Sequence, residues 1–537
     1  MMTSPTPAAP QAGIFARLPA ELLGLILDQL SNSQRKSLRL VCRFLRDTAS
    51  LRLNRVFISA NPRNIEVLRA IADHEAFRND VTEIIWDDAR LGECEELFDP
   101  GYGEFADVDF DPDDLHVAPW PLWFEEVCHT NQWVSNTRMK SDKEHPAYIA
   151  RAKQFDAQMP ISQSWDLYQQ LLQQQDKVLS SRADEEALKY GLRRFPSLRR
   201  ITITPAAHGF LFEPLYETPM IRSFPYGFNY PIPRGWPATH SESRGPKMLP
   251  WNDENEDVKE RWRGFRIVTR VLAQTETKHH VSELILDAHQ LNTGLHCRIF
   301  DQPCAEQDDL AALIRRPGFR RLDLSLSVGG QEGDRWCSYR SGHMRRILAN
   351  AADLEHISLR TNVVGNPEHR RGEWNRLPRS NDEISGGTMD HFNPLHAIFP
   401  VEKWQRLHHF GLSGSLVTQD DVFSFLSTLP GTVRSVELSF LMFLDHGGNY
   451  RDLLYDMREK LGWRKRPAHE RPRVTIEVDM PGKRQDGRSV SVSDDVHSFL
   501  YGESVNPFGT EKGEFPNKVL NNRVARDQFD PAYERPR

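Results

Sequence analysis

Between Asp87 and Asp114 stand twelve acidic residues and a single basic one, Arg90. Carboxylates at this density suit a hard cation such as calcium, and Asp107, Asp109 and Asp111 alternate like the opening of an EF-hand loop. The rest of such a loop is missing: Pro112 stands where the sharp turn needs glycine, and Ala118 where the bidentate glutamate belongs. The run therefore reads as a solvated acidic loop, with charge steering of a basic partner as the alternative. Gly101-Tyr102-Gly103 and Ala106 follow a predicted strand with the spacing of a dinucleotide-binding turn. The surrounding carboxylates would repel a pyrophosphate, however, and no glycine-opened helix follows.

Nucleophilic and metal chemistry are no better supported. The cysteines at 42, 94, 128, 297, 304 and 337 form no CxxC pair, which excludes a RING-type zinc site and predicts reduced thiols. Cys42 falls on an apolar stripe and is expected to be a buried structural thiol. His279-His280 and His408-His409 lack a third ligand at sensible spacing and read as surface or strand-end residues. Phe224 to Trp236 could stack against a partner, but rings packed on the protein's own body explain it more simply. Arg464-Lys465-Arg466 reads as a solvated turn. No phosphate-binding Walker loop, HExxH pair or GxSxG elbow occurs. The chain is thus expected to have no catalytic residue, no cofactor and no metal; an enzyme hidden within residues 80–500 would need a pocket of convergent polar groups.

Composition narrows the partners. A net charge of -7 over 537 residues argues against nucleic acid, which wants a concentrated basic face. The N-terminus carries no basic start and no apolar signal core, and no stretch approaches a membrane span, so a soluble chain of the cytoplasm and/or nucleus is expected.

The elements that remain informative lie at the N-terminal end. Leu18-Pro19 opens a helix, since proline's fixed φ suits helix entry at no cost in hydrogen bonds, and Glu21 sits in the first turn, favourable for the helix dipole. Leu22, Leu23, Ile26, Leu27 and Leu30 then recur at helical spacing, and after Ser31-Asn32-Ser33 a second stripe runs through Leu38, Val41, Cys42 and Leu45. Lys36, Arg39, Arg43 and Arg46 interrupt it and should face water. A helical module this small cannot bury its own apolar surface and so wants a partner.

Leu-Pro-x-Glu-Leu at 18–22 and Leu-Arg-Leu-Val-Cys-Arg at 38–43, at this separation, resemble an F-box, with Arg35 and Lys36 where many F-boxes carry two apolar residues. The run from Arg55 to Leu91, and Phe499-Leu500-Tyr501-Gly502, resemble segments of a group of filamentous-fungal F-box proteins. The resemblance implies a substrate-receptor subunit of a Skp/cullin/F-box ubiquitin ligase, itself non-catalytic, that binds a Skp-type adaptor, through it a cullin, and an unknown protein substrate destined for proteasomal degradation. Adaptor contacts would fall on Leu18, Pro19, Leu22, Leu23, Ile26, Leu27, Leu30, Leu38, Val41 and Leu45. A non-ligase repeat scaffold is the alternative.

Further along, large apolar residues recur at positions i, i+3 and i+5: Val81/Ile84/Trp86, Leu198/Ile201/Ile203, Val281/Leu284/Leu286, Phe319/Leu322/Leu324, Leu354/Ile357/Leu359, Leu407/Phe410/Leu412 and Val433/Val436/Leu438. This is the LxxLxL spacing of leucine-rich repeats, in which a short strand sends alternate side chains into a core completed by its neighbours. The triplet alone arises often by chance, so context must carry it. Helical stretches and turns precede several copies, as at Ala183–Arg194 before Phe195-Pro196-Ser197 and at Asp420–Leu429 before Pro430-Gly431. The asparagine that follows the strand in regular repeats occurs only as Asn362, and the spacing between copies is uneven.

The expected fold is α/β (mixed): a three-helix F-box at 14–54 after a disordered 1–13, then an irregular leucine-rich-repeat-like solenoid at 55–480. Loop insertions fall near 92–140, 218–257 and 363–392, a strand and helix cap the array at 481–508, and 509–537 reads as a loosely ordered tail. An ordinary α/β domain is the competing architecture.

Overall fold

A computed structural model describes residues 18–92, 119–139, 146–237, 248–362, 392–508 and 519–522, apart from 31, 275–278, 290, 330, 332–335, 445–446 and 480–487. The chain divides into two compact units, one ending at Asn54 and one beginning at Arg55. Helix and strand are mixed, as expected.

The N-terminal unit holds α1 (Ala20–Asp28), α2 (Asn32–Arg39) and α3 (Arg43–Thr48). Pro19 caps α1 with φ -52° and ψ 144°, and its carbonyl accepts from Leu23 N at 3.0 Å. The second stripe is not one helical face. Helix α2 closes at Arg39, Leu40 and Val41 turn, and Cys42 is extended at φ -160° before α3 starts. Helical periodicity cannot reveal such a break, because a turn of three residues keeps the apolar spacing almost in phase.

The second unit is organised by β1 (Arg55–Ile58), β2 (Glu83–Asp87), β3 (Arg200–Thr204), β4 (Glu283–Leu286), β5 (Leu295–His296), β6 (Arg321–Ser327), β7 (His356–Thr361), β8 (His409–Ser413), β9 (Leu416–Val417), β10 (Ser435–Ser439), β11 (Met442–Phe443) and β12 (Arg473–Thr475). Ten of these form one sheet in the order β1-β2-β3-β4-β6-β7-β8-β10-β12, with β5 beside β6, while β9 pairs with β11. Neighbours are parallel, so they are joined by crossovers and not by hairpins.

All seven triplets lie on this sheet in register. Ile84, Ile201, Leu284, Leu322, Ile357, Phe410 and Val436 are consecutive Cα partners across β2 to β10, and each is at most 1 % exposed. Val56 on β1 and Val474 on β12 continue the row. Leu53/Val56/Ile58 has the same spacing and would have revealed β1 from the sequence. The helices precede the strands as read, at Ala183–Arg194 and Gln419–Ser427. Asn362 reaches back to the preceding strand's turn, its Oδ1 accepting from Val328 N at 2.8 Å.

Two expectations fail. The insertion near 92–140 is not all loop: Leu122–Met139 is a helix, followed by Pro146–Asp156 and Ile161–Ser181. These helices carry a second core, in which Phe124 and Tyr168 meet Phe228 and Tyr230 of the aromatic segment, so those rings are structural. The tail is not all loose either, because β15 (Val519–Asn522) extends the antiparallel ladder of β13 (Glu477–Asp479) and β14 (Arg488–Ser491). A strand added at an edge is held by backbone bonds and needs no apolar pattern. A helix at Ser493–Tyr501 follows β14.

Candidate docking site

The ten residues singled out in the N-terminal module divide into two groups. Leu23, Leu27 and Ala49 form its core, with Leu18, Leu30 and Leu38 packed on them, and Leu45 on α3 is buried as well. Leu23, Leu27 and Leu45 are therefore placed in the module's interior. The reason is geometric: a stripe spanning Leu22 to Leu30 is wide enough to have an inner and an outer side. Pro19, Leu22, Ile26 and Val41 are exposed.

Three exposed apolar residues escaped the sequence reading: Leu25, Leu40 and Phe44, which are 63 %, 87 % and 42 % exposed. Leu25 stands three after Leu22 and beside Ile26, a spacing that could have marked it. Leu40 and Phe44 became visible only with the break after Arg39. Cys42, expected to be buried, is exposed in the same turn. The module thus presents Leu22, Leu25 and Ile26 on α1, and Leu40, Val41 and Phe44 around the α2–α3 turn. Exposed apolar side chains gathered on so small a unit make this the candidate docking surface.

Lys36, Arg43 and Arg46 face water as expected, and Arg39 is half-buried. Arg35 does the opposite of what its charge suggests: it is 2 % exposed, its Nε donating to Leu30 O at 3.1 Å and its Nη1 to Ser50 O at 2.7 Å. The guanidinium fills an interior position with a side chain that carries its own hydrogen bonds.

Residues 15–56 match the family model of the F-box domain, which supports an F-box protein. Domains of this family generally serve ubiquitin ligases of the Skp/cullin/F-box type as adaptor modules, typically by binding a Skp-type protein, and their chains are generally non-catalytic receptors. Comparison with curated proteins finds no match.

The EF-hand-like aspartates, Gly101 to Ala106 and Cys94 lie outside the described residues. Asp87 and Asp88, read as part of a solvated loop, are instead buried at the end of β2. Asp88 accepts from Trp86 Nε1 at 3.3 Å, Trp236 Nε1 at 2.8 Å and Gly264 N at 3.0 Å, tying together segments far apart in the chain. Asp87 Oδ1 accepts from Ala89 N, and its Oδ2 lies 3.7 Å from His208 Nε2. His208 Nδ1 meets Tyr230 Oη at 2.8 Å. Burial, reinforced by Asp88, pushes the Asp87 carboxyl up to about 8, and burial lowers His208 to about 3. Both are therefore neutral near pH 7. The adjoining cavity, lined by Ser59, Asn61, Gln175 and others, has room for about one water and none for a substrate.

A titration experiment checks this. A carboxyl whose folded value lies above its unfolded one stabilises fully at low pH, and that contribution is lost as pH rises from about 4 to about 8. Urea unfolding of Asp87→Asn should be less pH-dependent than wild type over this window, and the variant should be the more stable by a few kcal/mol, roughly, at its upper end. Equal pH slopes would show that Asp87 ionises in the fold.

The strand face opposite the core carries a charge ladder: Arg55–Glu83 at 2.6 Å, Arg200–Glu283 at 2.6 Å, and Asp323 with His356 at 3.1 Å. Burial alone would raise Asp323, but Arg321 and His356 overcome it and hold the carboxyl below its usual range. His356 stacks on His409 at 3.9 Å, and burial lowers His409 to about 3. His279, lowered to about 4 chiefly by burial, meets Leu272 O at 3.0 Å. Burial also raises the thiols of Cys128, Cys297 and Cys304 to about 12, so none is a ready nucleophile. Among the described residues no group of three His, Cys, Asp or Glu could hold a metal, and no helix is long and apolar enough to cross a membrane.

Proposed function

We propose that this chain is a substrate-receptor subunit of a Skp/cullin/F-box ubiquitin ligase, which docks a Skp-type adaptor through Leu22, Leu25, Ile26, Leu40, Val41 and Phe44 and holds a protein substrate on the second unit. The observation that carries this reading is the exposed apolar surface on a module whose residues 15–56 match the F-box family. Pro19, Leu18, Leu30 and Leu38 border that surface or support it. The second unit acts as a degenerate leucine-rich-repeat-like solenoid, a reading supported by seven apolar triplets in register on parallel strands. Its contribution is proximity: a bound target lysine is held near ubiquitin carried by another subunit, so placement stands in for catalytic groups.

Co-purification of the full chain with a Skp-type adaptor and its cullin tests this. Capture of both is expected. An adaptor complex that never recruits the cullin would make the chain a scaffold instead, and failure to bind the adaptor would remove the reading altogether.

A further inference from the structure

The interior of the N-terminal module is closed by a cation. Helix α2 turns Arg35 and Arg39, one helical turn apart, toward the carbonyl ends of its two neighbours. Arg35 donates to Leu27 O in the last turn of α1, to Leu30 O just beyond it, and to Ser50 O beyond α3. Arg39 Nη1 adds a bond to Ala49 O at 3.1 Å. Asn32, at the start of α2, exchanges two bonds with Arg52, its Nδ2 donating to the carbonyl at 2.6 Å and its Oδ1 accepting from the amide at 2.9 Å.

These carbonyls lie at or just past the C-terminal ends of α1 and α3, where partial negative charge accumulates, so a guanidinium adds hydrogen bonds and meets their field. Three carbonyls from two separate segments converge on one side chain. Only a planar fork of donors serves them together; a lysine would reach fewer and an apolar residue none.

The helices joined in this way carry the docking surface. Leu25 and Ile26 immediately precede Leu27, and Phe44 stands in the first turn of α3, the helix whose far end Arg35 and Arg39 hold. We propose that Arg35 is a positioning residue for adaptor binding: from α2 its guanidinium ties the end of α1 to the exit of α3 and so fixes the three helices, so that the two exposed apolar groups form one preassembled surface before the adaptor arrives. This rests on the docking reading above. A surface that must otherwise be ordered on binding loses affinity in proportion to the fraction of time it is formed.

The test uses the full chain as wild type, Arg35→Leu and Arg35→Lys, with adaptor titration and amide hydrogen exchange followed by mass spectrometry. In Arg35→Leu, exchange in peptides from residues 18–54 is expected to speed up at least about tenfold while residues 55–508 keep wild-type protection, and adaptor affinity should fall about tenfold, or 1.4 kcal/mol. Saturating adaptor should return exchange in Arg35→Leu to the wild-type level, which a directly contacting residue would not require. Arg35→Lys, which keeps the charge without the fork, should fall between the two and serves if the leucine variant does not fold. Affinity lost without faster exchange, or faster exchange without lost affinity, would overturn the positioning role. Wild type that binds adaptor beside an indifferent Arg35→Leu would remove Arg35 alone, whereas wild type that binds no adaptor would remove the docking reading itself.

Discussion

Replacing Leu40 and Val41 together with glutamate is expected to abolish adaptor capture, weakening affinity by at least about a hundredfold. Both residues sit in the turn between α2 and α3 and are 87 % and 70 % exposed, so they contribute little to the module's own core. An adaptor that covers them would have to bury two unpaired carboxylates in an apolar interface, and charges buried without partners cost more than the lost contact itself. Stability of the free chain should stay within about 0.5 kcal/mol of wild type, as is usual for surface substitutions. Leu23→Ala supplies the contrast: Leu23 is 1 % exposed and central to the module's core. Its truncation should destabilise the module by roughly 2–5 kcal/mol and weaken binding only through that loss. Titration calorimetry beside chemical denaturation separates the two. A double glutamate variant that still binds with wild-type affinity would move the docking surface elsewhere.

Phe410→Ala is the second large effect, and it concerns the body. Phe410 on β8 is fully buried in the row that runs across the sheet, between Ile357 and Val436, with the rings of Phe399 and Phe425 at 5.1 and 4.7 Å. Truncating a phenylalanine at such a position removes its transfer free energy and leaves a cavity, together about 3–5 kcal/mol. The neighbours on both sides are strands of the same stack, each lacking a complete core without the next, so the loss should weaken them too. The urea midpoint of the body should fall accordingly, with hydrogen-exchange protection lost across β7, β8 and β10 rather than in β8 alone. Protection lost only within β8 would show that the units are independent. Adaptor affinity, a property of the other unit, should not change.

Much of the scaffold could be read from residue order because its signals are local. The i, i+3, i+5 triplet works because alternate side chains of a strand point the same way and one turn before the strand must also be apolar, so seven strands could be placed from their residues alone. The helices Ala183–Arg194 and Gln419–Ser427 followed from the same kind of pattern. Apart from β1, whose triplet went unread, the strands that escaped had no local signature: β5, β9 and β11 are two-residue strands defined only by their partners, and β15 is held by an edge.

The candidate site divides along the same line. Sequence alone identified the N-terminal module, its opening at Leu18-Pro19 and its surplus of apolar side chains, because those depend on spacing within a few turns. Which of those side chains are spent inside and which are offered outward was decided by tertiary structure, for that depends on how three short helices close on one another. Leu23 and Leu40 are both leucines in apolar stripes, yet one is core and the other surface. Arg35 is the sharper case, a charge where an apolar residue was expected, buried because the carbonyls of Leu27, Leu30 and Ser50 converge on it. Asp87 and Asp88 likewise stood in an acidic run that promised solvent and became interior through partners as distant in sequence as Trp236 and Gly264. Pattern assigns a side chain to a face, but whether a polar group can be buried is settled by the donors and acceptors that folding brings to it.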